Sequence, residues 1–367
     1  MRPVSTNQPR SGSEPPSTHG IEPHQDGRYA TPNPWCTHFL GRAVVSAALE
    51  RQHDVTIFRR GTSGEDPANV HSVRGDYTDV RDVARLEDHG PWDAVVDTLA
   101  FVPRETLAVA QALKNSVTRY VVISTVSAYE GWPIEPLTES SAVLECPSDA
   151  GPGYGFDGNP GPSTYGFGKA GCERAVMETF GASRSAILRP GVILGPHEYV
   201  GRLPWWLRRL ERGGQVLAPG NPGRPIHPVD VRDVANFALT CAEGATGTFN
   251  VTAPGTETFQ DFLDACAETV GANAELEWVP DEFLVSQGIR QRTEIPLWRA
   301  YAGAWAVDSS AARAAGLTTR PIAETVRDTW EWLTEEQPEL DNERVAELGI
   351  ASEREAEALS GLKELER

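Results

Sequence analysis

Tyr165 and Lys169 are the residues of this 367-residue chain whose types and spacing point most directly to chemistry. They bracket the run Tyr-Gly-Phe-Gly-Lys, and residues four apart stack on one face of a helix, so a phenol and an ammonium would enter one cleft. A neighbouring ammonium favours phenolate and would draw the tyrosine pKa down from its reference near ~10. Tyr165 would then act as a general acid/base on a hydroxyl or carbonyl. The only lysines in the chain are Lys114, Lys169 and Lys363, which makes a coincidental pairing uncommon. Upstream, Val121-Val122-Ile123-Ser124-Thr125-Val126-Ser127 reads as a strand that ends in hydroxyls. Open α/β sheets build their sites at the C-terminal ends of such strands.

The surrounding pattern supplies elements able to hold these groups. Gly41–Arg51 carries Val44, Val45, Ala48 and Leu49 on one helical face. Short apolar runs at 54–58, 69–73, 94–98 and 120–124 then alternate with amphipathic helices at 79–88 and 104–115. Such alternation predicts βαβ units and a parallel sheet, wound right-handedly on both faces. A Gly/Pro-rich insert, 146–163, precedes a long helix over about 164–180, and a strand is expected at 185–188. Further helices are expected at 230–241, with Asp230 as N-cap, and at 256–270, 308–315 and 322–332, with a strand at 248–251. The fold class is therefore α/β: a Rossmann-type doubly wound parallel sheet with a smaller C-terminal α/β substrate lobe.

Composition excludes several classes. With 33 Lys+Arg against 52 Asp+Glu and a net charge of -19, the chain lacks the basic surface a nucleic-acid partner needs. No run of about 18 apolar residues exists, so no membrane partner is expected. The five cysteines, 36, 146, 172, 241 and 266, form no C-x-x-C pair. They fit a reducing, cytoplasmic setting and no metal site. The expected partner is a small-molecule substrate, and the oligomeric state is left open, a homodimer included.

Four segments in order, STVSAY (124–129), YGFGK (165–169), LRPGVILGPHE (188–198) and IHPVDVRDVA (226–235), resemble the extended short-chain dehydrogenase/reductase superfamily in its NAD-dependent epimerase/dehydratase branch. The resemblance covers roughly residues 37–335. It implies a Rossmann-type NAD(P)-binding domain at 37–190 and a substrate lobe at 191–335, partly interleaved with it. It also implies a catalytic trio. Thr125, with Ser127 or Ser124 as substitutes, would orient the substrate oxygen, Tyr165 would move the proton, and Lys169 would hold the nicotinamide ribose and lower the tyrosine pKa. The implied function is an NAD(P)-dependent oxidoreductase, epimerase or dehydratase that passes hydride at a carbinol or ketone carbon. A cofactor-impaired, non-catalytic binding or regulatory protein on the same scaffold is the alternative.

Cofactor positions carry over in the same way. Thr37, Phe39, Leu40 and Gly41 match the tail of the family's glycine-rich turn. Asp76 resembles its adenine-binding acid, and Asp97, Leu99 and Ala100 would line the cofactor. Arg59 and Arg60 stand where a ribose-binding acid is absent, which favours NADP over NAD; a solvated basic turn explains the same pair.

The match breaks upstream. Trp35 and Cys36 occupy the place of the first glycines, which permit the tight turn and close approach to pyrophosphate. Seven of residues 1–36 are Pro, with no Leu, Phe or Lys, a composition that predicts disorder. Pro32 and Pro34 argue against a central strand, and losing that strand would leave two sheet edges open. Two explanations stand: a non-native N-terminal segment, from a shifted frame or misassigned start, or divergence away from dinucleotide binding.

Other features have two readings each. His227 is a substrate-facing or a structural histidine. Trp205 and Trp206 with Arg202, Arg208, Arg209 and Arg212 form a pocket wall and anion clamp or an amphipathic surface helix. The 146–163 insert is a mobile lid over Tyr165 or a loop without a role. Residues 331–367 hold 12 acidic and 4 basic residues, and 336–367 is expected to be a solvated, acidic helical tail.

Overall fold

β4 (Val117–Ile123), the strand that leads to Thr125, alternates its side chains across a sheet covered on both faces. In the computed structural model, which describes residues 39–61, 66–340 and 343–365, Tyr120 and Val122 pack on one side with Val109, Leu113, Cys172 and Val176. Val121 and Ile123 pack on the other with Val234, Phe237 and Ala238. Burial on both faces is why this segment reads as an unbroken apolar run rather than an alternating one. The described residues fall in one unit, Asn33–Arg367. The expectations for residues 1–36 and the position of Thr37 lie outside the described residues.

Ahead of β4 come α1 (Phe39–Glu50), β1 (Thr56–Arg59), β2 (His71–Arg74), α2 (Val80–Ala84), β3 (Trp92–Asp97) and α3 (Pro103–Leu113). After it follow α4 (Thr164–Phe180), β5 (Ser185–Pro190), β6 (Ile193–Leu194), α5 (Arg202–Glu211), β7 (Gly214–Pro219), β8 (Val229–Asp230), α6 (Val231–Glu243) and β9 (Gly247–Val251). The chain continues through α7 (Phe259–Val270), β10 (Ala274–Val279), α8 (Asp281–Ser286), α9 (Ser310–Ala314), α10 (Ile322–Glu335), α11 (Glu343–Ala346) and α12 (Ser352–Leu365).

The main sheet runs β3-β4-β5-β9, all parallel, with Tyr120 beside Ser185 and Ala186 beside Gly247. Helices α3 and α4 cover one face and α6 the other, with α1 laid on α6 through Ala47, Ala48, Ala235 and Leu239. The expected α/β parallel architecture is thus present. β1 and β2 form a separate parallel pair. Among the described residues no strand joins β1 to β3, so each offers an edge with no strand partner there.

A second core gathers around the parallel pair β7–β10 with α5, α7 and α10. Trp206 and Trp298 are fully buried in it. The acidic C-terminal segment is helical, but its α12 is not the solvated helix that its charge suggested. Ala358, Leu359 and Leu362 enter this core, and buried Glu355 accepts from Arg209 Nε at 2.9 Å and from the Leu217 N–H at 3.1 Å. The apolar stripe was present in the sequence; the charge around it masked it.

Candidate active site

Thr125 follows directly on β4. Its Oγ1 accepts from the Ser127 N–H at 3.1 Å, which caps the 3-10 turn Val126–Ala128 and fixes the hydroxyl. Tyr165 enters from α4, whose first turn is capped by Ser163 accepting from the Gly166 N–H at 3.1 Å. The Tyr165 hydroxyl lies within the influence of Thr125, which favours the phenolate. Gly166 makes the approach possible: a Cβ there would overlap the Ser127 carbonyl oxygen. The glycine next to Tyr165 therefore has a steric role that motif matching alone does not disclose.

Lys169 lies one turn further, buried, with Nζ donating to the Ile123 carbonyl at 2.8 Å. It sits 4.2 Å from the Phe101 ring centre and 5.9 Å from that of Tyr165. The electrostatic expectation is reversed here. Although Tyr165 is 36% exposed, the protein packed around its phenol pushes the pKa up, to about 12, with Thr125 and the Arg202 charge working the other way. Burial also pushes Lys169 below its usual range. The ammonium is spent on a carbonyl and an aromatic face, and desolvation outweighs it at the phenol. Tyr165 holds its proton throughout the neutral range.

One more turn along α4 stands Glu173, which the motif reading passed over although it continues the i+4 spacing. It accepts from the Ser124 hydroxyl, from Arg189 Nε at 2.9 Å and from Arg189 Nη2 at 2.5 Å. Arg189 also lies over the Tyr129 ring, 4.5 Å from its centre, and Tyr129 donates to Asn250 Oδ1 at 2.7 Å. This buried ion pair ties α4, β4, β5 and β9 together behind the hydroxyls, with Arg189 Nη1 left without an acceptor among the described residues.

The cofactor positions are distributed differently. Phe39 and Gly41 are buried and Leu40 half-buried on the first turn of α1, with the Phe39 ring 6.4 Å from Tyr199. That turn carries no acidic residue, so the positive helix end is not offset locally. Asp97 is turned inward, where Tyr77 and Tyr120 each donate to Oδ2 at 2.7 Å and the Leu99 N–H donates to Oδ1 at 2.8 Å. Ala100 is buried and Leu99 half-buried in the loop that follows. Arg59 is buried against Asp66 at 2.9 Å, whereas Arg60 lies 3.9 Å from Asp76. Asp76 itself accepts from the Thr78 N–H and hydroxyl.

The remaining candidates resolve individually. Asp230 caps α6 and also binds Arg232 and Thr325. His227 is half-buried against Gly255, and desolvation lowers its pKa. Trp206 is a core residue donating to the Pro296 carbonyl at 2.7 Å, and Arg209 binds Glu355, so α5 is no anion clamp along its length. Arg202 alone turns toward the cleft, paired with Glu198 at 2.5 Å. In the insert, Tyr154 and Phe156 stack on Phe167, with ring centres 6.2 and 5.2 Å apart, so this loop packs on the start of α4.

A sequence model of the NAD dependent epimerase/dehydratase family matches residues 36–252, more than half of the chain. The chain belongs to this family. It is an enzyme of the NAD dependent epimerase/dehydratase type, and the match begins at Cys36, one residue after Trp35. Solved structures share the fold at low identity. WbmG of Bordetella bronchiseptica, in complex with NAD and UDP, is 18% identical with a TM-score of 0.61, covering 82% of this chain and 93% of that one. The UDP-glucose 4-epimerase of Thermotoga maritima, with UDP-glucose, is 17% identical with a TM-score of 0.60, covering 82% and 97%. The UDP-N-acetylglucosamine 4-epimerase of Methanobrevibacter ruminantium, in complex with UDP-N-acetylmuramic acid, is 18% identical with a TM-score of 0.59, covering 82% and 96%. No curated protein sequence matches this chain. No helix among the described residues of this epimerase/dehydratase-family chain is long and apolar enough to cross a membrane.

Proposed function

We propose that the protein is an NAD(P)(H)-dependent oxidoreductase or epimerase acting at a secondary carbinol or ketone carbon of a small molecule. The observation that carries this reading is the gathering of Thr125, just after β4, with Tyr165 on the first turn of α4 and Lys169 buried on the next turn. Thr125 orients the substrate oxygen. Tyr165 gives a proton to it in the reducing direction or takes one in the oxidising direction. Its elevated pKa suits the donor role at neutral pH and makes the oxidising direction favour alkaline conditions. Lys169, Phe39, Leu40, Gly41 and the Asp97–Ala100 loop would hold the dinucleotide, and Thr37 precedes them. When bound, that cofactor supplies the hydride acceptor or donor.

Supporting a dinucleotide site are an α1 N-terminus without local acids and loops that follow parallel strands at Arg60, Asp76 and Asp97. Of the two arginines that suggested NADP, Arg59 is held by Asp66, which leaves Arg60 as the one to meet a 2'-phosphate. The relatives solved with NAD make NAD(H) the cofactor to test first. Their UDP-containing complexes make a polyol or sugar-like substrate the first class to screen.

The test is titration of the full chain with NADH and NADPH by fluorescence, followed by turnover with sugar-like ketones. Saturable binding of either dinucleotide, and loss of turnover in Tyr165→Phe, are expected. A folded chain that binds neither, or a Tyr165→Phe variant at full rate, overturns the reading.

A further inference from the structure

Arg299 lies in the substrate lobe between α8 and α9, and it is buried to nine-tenths of its surface. Its guanidinium stacks over two indoles, 5.5 Å from the Trp132 ring centre and 5.5 Å from that of Trp305. Arg292 approaches the same Trp132 ring at 5.8 Å. Three buried donors of this cluster, Arg299 Nε, Trp132 Nε1 and Trp305 Nε1, have no acceptor among the described residues. Buried donors without acceptors are rare and costly, and three around one cation are not accounted for by folding.

The nearby acids are committed elsewhere. Asp281 pairs with Arg224 and accepts from Trp298 Nε1 at 2.7 Å. Glu198 pairs with Arg202, and Glu294 with Arg290 and Arg354. Arg224 meanwhile donates to the Arg299 carbonyl at 3.2 Å, which fixes the backbone and leaves the Arg299 side chain without a carboxylate among the described residues. Burial, with Arg292 and Arg202 as like charges, disfavours the cation strongly. A group that raises the free energy of the ligand-free fold in this way is a candidate for ligand recognition.

We propose that Arg299, with the indole N–H groups of Trp132 and Trp305, forms a subsite for a single carboxylate carried by the substrate. The proposal rests on the reading of the cleft as an oxidoreductase substrate site. Its location supports that reading: Trp132 lies in the segment that follows Thr125, and the Arg202 charge acts on both Arg299 and Tyr165. The choice of carboxylate follows from charge and shape. One buried cation without an acid partner matches one negative charge, and the Nε edge of a guanidinium matches the two oxygens of a carboxylate. The substrate class is therefore a hydroxy or keto acid, such as a uronate-like polyol.

The probes are D-glucuronate, its neutral counterpart D-glucose, UDP and orthophosphate, added to the full chain without cofactor. Binding is read by thermal shift and by the fluorescence of the tryptophans. Glucuronate is expected to raise Tm and change emission, with glucose and orthophosphate inert and UDP weaker. Arg299→Met is expected to raise the Tm of the ligand-free protein, because an unpaired buried cation is lost, and to weaken glucuronate by at least about tenfold, the worth of one charge-assisted hydrogen bond. Trp132→Phe keeps the ring and removes one donor, and a smaller loss of affinity is expected. A fall in ligand-free Tm for Arg299→Met, an unchanged glucuronate response, or tighter Arg299-dependent binding of UDP than of glucuronate overturns the proposal. NADH titration of Arg299→Met separates the two readings: retained cofactor binding with lost carboxylate response supports the subsite, whereas absent cofactor binding in the unmodified chain overturns only the proposed function.

Discussion

β4 and β2 are both parallel strands of one chain, yet they stand in opposite physical circumstances. β4 has seven residues, five of them buried, and hydrogen-bonded neighbours on both edges. β2 has four, none buried, and among the described residues pairs only with β1. The strand that leads to Thr125 is thus held by apolar packing on two faces, whereas the strand that leads to Asp76 relies more on surface ion pairs such as Arg74–Asp66 at 2.6 Å. Apolar burial is unaffected by salt, whereas exposed pairs contribute little and are screened. The proposed proton-transfer groups therefore sit on the rigid side of the molecule, and the dinucleotide contacts proposed at Arg60 and Asp76 sit on the softer side.

The largest expected effect tests whether the rigid side holds the chemistry. Tyr165→Phe should lower turnover by about 10²–10⁴ while leaving Tm unchanged, since only a hydroxyl is removed. Glu173→Gln should destabilise by about 3 kcal/mol in chemical denaturation, because Arg189 is then left buried and uncompensated. Val122→Ala should cost about 2 kcal/mol through lost burial and a residual cavity. Val73→Ala on β2 should cost well under about 1 kcal/mol. Equal costs for the two valines would erase the comparison. Amide exchange of β1 and β2 faster than that of β4 and β5 would sharpen it.

A separate effect concerns pH. Desolvation lowers His197 to about 4, with the nearby Arg42 charge acting in the same direction. Between that value and the unfolded reference near ~6.5, the unfolded chain binds a proton that the native one refuses. Stability should therefore be complete above that window and fall as pH drops through it. His197 has a left-handed backbone, φ 68, so His197→Asn is the conservative probe. It should flatten the slope of Tm against pH between those limits, and an unchanged slope would remove His197 from the acid response.

Much of the site was legible because its spacing is local. Tyr165 and Lys169 are i and i+4 on one helix, Ser163 caps that helix, and Asp230 caps α6, all decided within a few residues. α7 starts at Phe259 behind its cap Thr258 rather than at the expected 256, a boundary difference that local propensity resolves poorly. The strands β6, β7, β8 and β10 escaped prediction because each forms in a parallel pair whose partner is far along the chain, Ile193 beside Val229 and Gly214 beside Ala274. Such pairing leaves no periodic mark within the segment itself.

The sequence by itself determined the family, the parallel α/β class and the identity of the hydroxyl, phenol and ammonium groups. These depend on residue type and short spacing. Only the tertiary structure decided which way their energies lean. It turned Lys169 to the Ile123 carbonyl, raised Tyr165 rather than lowering it, drew α12 into the lobe core, and left Arg299 between two indoles without an acid. Desolvation and partner choice are properties of what surrounds a group, and in each of these cases the surroundings come from segments distant in the chain.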